Sequence, residues 1–155
     1  MRAAHAQLAL SLIDAGKKDS ARNLLEHFDR NVYEPNFPYG MTSNRGNQQD
    51  RISMSFLLAC YESGDPDLAK KVAASVKKDL TQQMRYYNSL GENTTNEQLA
   101  INAQMARQNK GGNLSDKQGA YVDDILSSYQ MLLQLDDWEK QFGGAKPPTV
   151  TQPSR

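Results

Sequence analysis

The sequence is poor in the residues that carry chemistry. Its 155 residues include one cysteine, Cys60, one tryptophan and two histidines, and 18 Lys plus Arg balance 18 Asp plus Glu. A single cysteine excludes a disulfide within the chain and leaves the redox compartment open. Zero net charge argues against a general nucleic-acid binder, whose basic surface must displace counterions. It argues equally against a surface that holds anionic lipid by charge. No apolar run approaches the roughly 18 residues of a membrane helix, so this segment is not expected to span a membrane itself. The opening stretch MRAAHAQLALSLIDAG lacks the apolar core and small-residue cleavage site of a secretory signal. An amphipathic pattern starts almost at Met1 instead, as expected of a piece cut from a longer polypeptide.

What is present is helical periodicity. Ala4, Leu8, Leu12 with Ala9 and Ile13 predict a first helix over about residues 3–15, stopped by Gly16. Ala21, Leu24, Leu25, Phe28 and Val32 form one apolar face of a second helix to about Asn31. So short a link folds the two back as an antiparallel hairpin, 3–31. Pro35 and Pro38 end it, and EPNFPYGMTSNRGNQQD reads as an irregular connection. A third helix from Gln48 to Glu62 carries Ile52, Phe56, Ala59 and Cys60, and Gly64 closes it. Asp65-Pro66 is a capping carboxylate followed by a proline at the first helical position. It opens a long fourth helix to about Leu90, which completes a second hairpin over 48–90. Residues 91–114 are polar, with a thin stripe of Leu99, Ala103 and Ala106 and a candidate capping box at Thr94 and Glu97. Ser115 and Gln118 offer another box, opening a last, capping helix over 115–142. The remainder, 143–155, has too few apolar residues to offset its ordering entropy and reads as a disordered tail.

The two hairpins share a pattern. AGKKDSARNLL at 15–25 aligns with SGDPDLAKKVA at 63–73, matching Gly16 to Gly64, Asp19 to Asp67, Ala21 to Ala69 and Arg22 to Lys70. A glycine turns the chain, and an early alanine lets the second helix pack closely on the first. This is the unit of tetratricopeptide-type repeats, although their usual period is about 34 residues and the first helix here has His5 near the usual tryptophan. Two unrelated hairpins that both use glycine turns are the plainer alternative. The fold class is therefore all-α: five to six helices in antiparallel hairpins, 1–142, forming a tetratricopeptide-like right-handed superhelix. Stacked hairpins leave a groove suited to a peptide or another domain.

No motif supports catalysis, a cofactor or a metal. His5 and His27 lie on different helices and outside any metal-spaced cluster. Cys60 falls on an apolar face with no base nearby, the setting of an inert thiol. Asp123–Asp124 and Asp136–Asp137 are adjacent on a helix, so each pair diverges by about 100° and cannot converge as an acid/base dyad. GENTTNEQ and NKGGN lack the Lys and Ser/Thr of a phosphate loop. Asn93-Thr94-Thr95 and Asn113-Leu114-Ser115 match the N-glycosylation pattern, which matters only in a secreted eukaryotic setting. Two aromatic groups remain: Tyr33, Phe37 and Tyr39 in the connection, and Tyr86 and Tyr87 at the end of the fourth helix. Either they pack together over the open end of the first hairpin, or they form an exposed interaction surface of the kind that dominates binding hot spots.

The order LALSLIDAGKKDSARNLLEHF, then PNFPYG, then a long helix ending QMRYYNSL resembles the C-terminal domain of a family of bacterial membrane proteins, DUF2723. The resemblance covers about residues 2–90 and the last helix. It implies a membrane-embedded front half similar to protein O-mannosyltransferase-like glycosyltransferases. A soluble tetratricopeptide-like tail would follow on the periplasmic side of the cytoplasmic membrane. The catalytic acid of such a parent would lie in the membrane half, so none carries over here. The implied partners are a protein or peptide, or the parent's own membrane domain. The family has a short segment before the third helix, where this chain has the glycine- and asparagine-rich GMTSNRGNQQD. A free-standing peptide-binding adaptor is the rival reading, and an independent enzyme a third.

Overall fold

A computed structural model describes residues 1–42 and 46–143, and the chain is all-α. Helix α1 spans Arg2–Asp14, α2 Lys18–Asn31, α3 Gln48–Ser63, α4 Pro66–Ser89, α5 Asn96–Arg107, α6 Asp116–Gly119 and α7 Val122–Trp138. A π-helical turn over Glu139–Gly143 continues α7. From Gly144 onward the expected disordered tail lies outside the described residues.

The two hairpins turn in the same way. Gly16 and Gly64 both take left-handed backbone, at φ 79° and 81°. In both, the glycine N–H reaches back three residues (Gly16 to Ile13 O, 2.9 Å; Gly64 to Tyr61 O, 3.1 Å). The next N–H reaches back five, Lys17 to Leu12 O at 2.7 Å and Asp65 to Cys60 O at 3.0 Å. A side chain at either glycine would strain the turn, because L-residues rarely adopt this φ. The aligned alanines, Ala21 and Ala69, are both fully buried. Asp65 caps α4 by accepting from Leu68 N (3.1 Å), and Pro66 follows at the first helical position.

Helix α3 packs against both α1 and α2, and α4 packs on α3. Phe56, Leu57, Leu25, Val72, Val76 and Leu80 are buried between these four helices, joined by Met131 and Leu135 from α7. Each such side chain contributes roughly 1.5–3 kcal/mol relative to exposure. A second apolar cluster joins Met84 and Tyr87 of α4 to Leu99 and Ala103 of α5 and to Ile125 and Leu126 of α7.

The polar stretch 91–114 contains a real helix, α5, and its cap differs from the one expected. Thr95, not Thr94, accepts from Gln98 N (3.1 Å), while the Thr94 hydroxyl is turned toward Asn88 Oδ1 (3.3 Å). The last helix is also interrupted. The Ser115–Gln118 capping box forms, but it opens only the single turn α6. Ser115 Oγ donates to Leu90 O (2.8 Å) and Gln118 Nε2 to Tyr87 O (3.0 Å). These bonds tie α6 to the end of α4, and the chain breaks at Ala120–Tyr121 before α7 begins.

Candidate functional site

The connection after α2 is built around Tyr39. The chain turns at residues 33–37, where Asn36 N and Phe37 N both donate to Tyr33 O (3.0 and 3.1 Å). Tyr39 then drops into the core, 1% exposed. Its ring lies 5.3 Å from that of Phe56, and the Arg2 guanidinium sits 4.6 Å above its centroid. Its hydroxyl donates to Asp29 Oδ1 (2.8 Å), and Lys71 Nζ reaches the same oxygen at 2.9 Å. Burial, then the bond to Asp29, pushes the phenol's pKa up, so it stays a hydrogen-bond donor. Arg2 fastens the segment from the other side, donating to Phe37 O (2.8 Å) and Ser53 Oγ (3.0 Å), while Ser53 Oγ donates to Tyr39 O (2.6 Å).

This anchoring divides the five aromatic residues expected to form an interaction surface. Tyr33 and Phe37 are 66% and 60% exposed. Tyr39 is not part of any surface, because its side chain is the plug that holds the connection down. Tyr87 is likewise buried, 5.2 Å from the Tyr121 ring, with its hydroxyl donating to Gln83 Oε1 (3.3 Å). Tyr86 points outward, edge-on to Tyr121 at 6.0 Å. The two groups belong to different apolar clusters, Tyr39 among α1–α4 and Tyr87 beside α5 and α7.

Beside Tyr39 lies a polar junction that sequence reasoning missed. Asp50, in the first turn of α3, is fully buried. Its carboxyl accepts from Met41 N (3.1 Å) and Gln83 Nε2 (3.0 Å) and shares a hydrogen bond with Asp79. Burial and the neighbouring Asp79 push the Asp50 carboxyl up to about 8, so it is protonated at neutral pH. Gln83 Nε2 also donates to Asp79 Oδ2 (2.7 Å), and Gln83 Oε1 accepts from Ser128 Oγ of α7 (3.2 Å). Asn47, in left-handed backbone just before α3, donates to Ser128 Oγ (2.8 Å). Thr42 Oγ1 donates to Asp79 Oδ1 (3.0 Å), and Gly40 N to Ser75 Oγ (2.9 Å). The junction thus pins both ends of the connection to α3, α4 and α7. An aspartate in a first helical turn ordinarily reads as a complement to the helix dipole. Nothing local in the sequence distinguishes this buried one.

Two shallow grooves run along α3. One, between α1 and α3, is lined by Ala3, Gln7, Leu10, Ile52 and Ser55. The other, between α3 and α7, is lined by Arg51, Met54, Gln130, Met131, Gln134 and Trp138. Arg51 is the single charge in either.

The remaining candidate groups do not converge. The His5 ring packs 4.7 Å from Phe28, and His27 lies on α2 beside Asn31. Cys60 is fully buried, and burial raises its thiol pKa, which keeps it unreactive. Asp123 pairs with Arg107, Asp124 accepts from Gly46 N, and Asp136 pairs with Lys77. Among the described residues no group of three or more His, Cys, Asp or Glu is placed to hold a metal ion, and no helix is long and apolar enough to cross a membrane. No protein-family model, curated protein or solved structure matches this chain.

Proposed function

We propose that this chain is a non-catalytic, tetratricopeptide-like module whose hairpins stack as a right-handed superhelix and whose work is to hold a protein or peptide. Following the DUF2723 resemblance, it would be the C-terminal part of a membrane-bound, glycosyltransferase-like protein, on the periplasmic side of the cytoplasmic membrane. There it would contact an acceptor, a partner or the parent's own membrane domain. The observation that carries the binding reading is Tyr33 and Phe37. Two aromatic side chains stand in solvent on a segment that is itself clamped by Arg2, Ser53 and Tyr39. The clamp reduces the backbone ordering that binding would otherwise cost, and aromatic anchors are enriched among the residues that dominate interface energy. The matched glycine turns at Gly16 and Gly64 support the repeat.

The test is co-purification of the intact parent carrying Tyr33→Ala with Phe37→Ala, beside the parent lacking this module. Loss of the same partner, or of glycan transfer, from both is the expected result. Unchanged partners and unchanged transfer would remove the binding role. The adaptor reading is separated by gene context: a stop codon and ribosome-binding site directly upstream would favour a free-standing protein.

A further inference from the structure

The groove between α3 and α7, about 320 Å³ in volume, has one charged side chain in its lining. Asn47 and Arg51 at the start of α3 bond Ser128 and Ser127, and Tyr61 near its end meets Trp138 at 6.4 Å, so the two helices run parallel. Arg51 Nη2 donates to Ser127 Oγ (3.1 Å), which holds the guanidinium at one end of the groove. Arg51 makes no ion pair among the described residues. The acids closest to Ser127 on α7 are engaged elsewhere, Asp123 with Arg107 and Asp124 with Gly46 N. Met54 and Met131 form the buried floor. Gln130 and Gln134 stand exposed one turn apart on α7, and neither amide has a partner among the described residues. Trp138 lies at the other end.

We propose that this groove holds an extended segment of a partner protein, with an acidic side chain on Arg51 and a large apolar one against Trp138. This rests on the reading that the chain holds a protein or peptide, and it adds a contact made by residues other than Tyr33 and Phe37. The occupant's chemistry follows from the lining. Covering Arg51 with neutral groups would strip a charge of water without return, whereas a carboxylate pairs with two guanidinium N–H groups at once. One cation is too little for a polyanion, because nucleic acid and anionic membrane are held by many. An unpaired amide offers donors and an acceptor together, the complement of a peptide main chain. Residues four apart on a helix lie about 5–6 Å apart, close to the roughly 6.6 Å between alternate residues of an extended chain. Gln130 and Gln134 therefore match alternate peptide groups. Ser127 and Trp138 are about 16 Å apart along α7, which sets the acidic and apolar side chains about five extended residues apart. A helix, about 10–12 Å across, would not sink into so shallow a groove. Asp137, exposed and next in sequence to Trp138, disfavours an acid at that end.

Trp138 is the only tryptophan of the chain, so its fluorescence reports on this groove. The experiment selects peptides from a random phage-displayed library without tryptophan on the full chain, with counter-selection on Arg51→Glu. The enriched peptides are then titrated against Trp138 emission. They should carry Asp or Glu with a large apolar residue about five positions away, and should shift the emission saturably. Replacing that acid by its amide should weaken binding about tenfold or more, and replacing it by lysine should recover binding to Arg51→Glu. Arg51 is exposed, and circular dichroism checks that the variant keeps its helices. The Tyr33→Ala, Phe37→Ala chain should bind the same peptides unchanged. No enrichment over the counter-selection, enriched peptides without an acid, or binding that leaves Trp138 unmoved would each overturn the proposal. So would an equal response to inorganic phosphate, which would mark a simple anion site. Peptides that need Tyr33 and Phe37 but not Arg51 would overturn the groove and leave the aromatic edge standing.

Discussion

Replacing Asp50 with asparagine should change how stability depends on pH more than it changes stability itself. The Asp50 carboxyl is raised to about 8 in the folded chain, against about 4 when unfolded. Below pH 4 both states hold the proton and the group contributes no slope. Between about 4 and 8 the folded state holds the proton and the unfolded state has released it, so rising pH favours unfolding. Above 8 both are ionised, the slope vanishes and the full cost remains. One proton sets the limit at about 1.4 kcal/mol per pH unit, or about 4 kcal/mol between pH 5 and 8. At about 2–4 °C per kcal/mol for a chain of this size, that corresponds to roughly 8–16 °C in Tm. Asparagine keeps the bond from Met41 N and can donate to Asp79 in place of the shared proton. Gln83 Nε2 loses one acceptor but keeps Asp79 Oδ2 at 2.7 Å. Thermal melts of both proteins from pH 5 to 9, followed by circular dichroism, give the comparison. The variant's advantage should grow by up to about 4 kcal/mol between pH 5 and 8 and then level off, leaving it clearly more stable at pH 9. Parallel Tm curves for the two proteins across this range would refute the reasoning, because the slope would then come from other groups.

Three further outcomes are expected. Gly40→Ala should destabilise by about 1–3 kcal/mol through overpacking, because a Cβ at Gly40 would meet Ser75 O, a backbone atom of α4, at 2.1 Å; urea unfolding reads it. Tyr39→Phe removes the hydroxyl bond to Asp29 and should cost about 1–3 kcal/mol with the ring packing unchanged, as a charged-acceptor bond does. Cys60, buried with its thiol pKa raised, should react with a thiol reagent only as fast as the chain opens. Urea at sub-denaturing concentration should speed that reaction, and prompt labelling of the native protein would contradict the burial.

The parts of the fold that were legible in the sequence are those written in local chemistry. Asp65-Pro66 announces the start of α4 because cap and proline act within one turn. Helices α2 and α4 show their apolar stripes because their other sides meet water. Helices α1 and α3 blur that signal, since α3 is covered by α1, α2 and α4 together and α1 has few polar positions. Thr94 and Thr95 are chemically equal as caps, and only Asn88, at the end of α4, decides between them. The candidate site was half legible for the same reason. Tyr33, Phe37 and Tyr39 sit in a segment without periodicity, so nothing local says which faces inward. That is settled by Arg2, thirty-seven residues from Tyr39, and by Asp29. Asp50 was invisible because its partners lie on other elements, Met41 in the connection and Asp79 and Gln83 on α4.

The connection between the hairpins therefore carries more than chain continuity. Loops beyond about 12–15 residues are uncommon inside compact folds unless they have work to do, and the described residues between α2 and α3 include several anchors. Tyr39 seals the first hairpin to α3, Gly40 lies against α4, Met41 bonds Asp50, and Asn47 reaches α7. This also accounts for the 48-residue offset between Gly16 and Gly64, which is long for repeats whose hairpins follow directly. Ionising Asp50 strengthens the bond from Met41 N and sets its repulsion against Asp79 of α4, away from the segment that presents Phe37 and Tyr33. Binding through that aromatic pair should then hold steady as pH rises through 8, in the wild type as in Asp50→Asn, while the wild type's Tm falls. A binding loss that tracks the Tm would show that the edge depends on the whole junction and not on the Arg2, Ser53 and Tyr39 clamp alone.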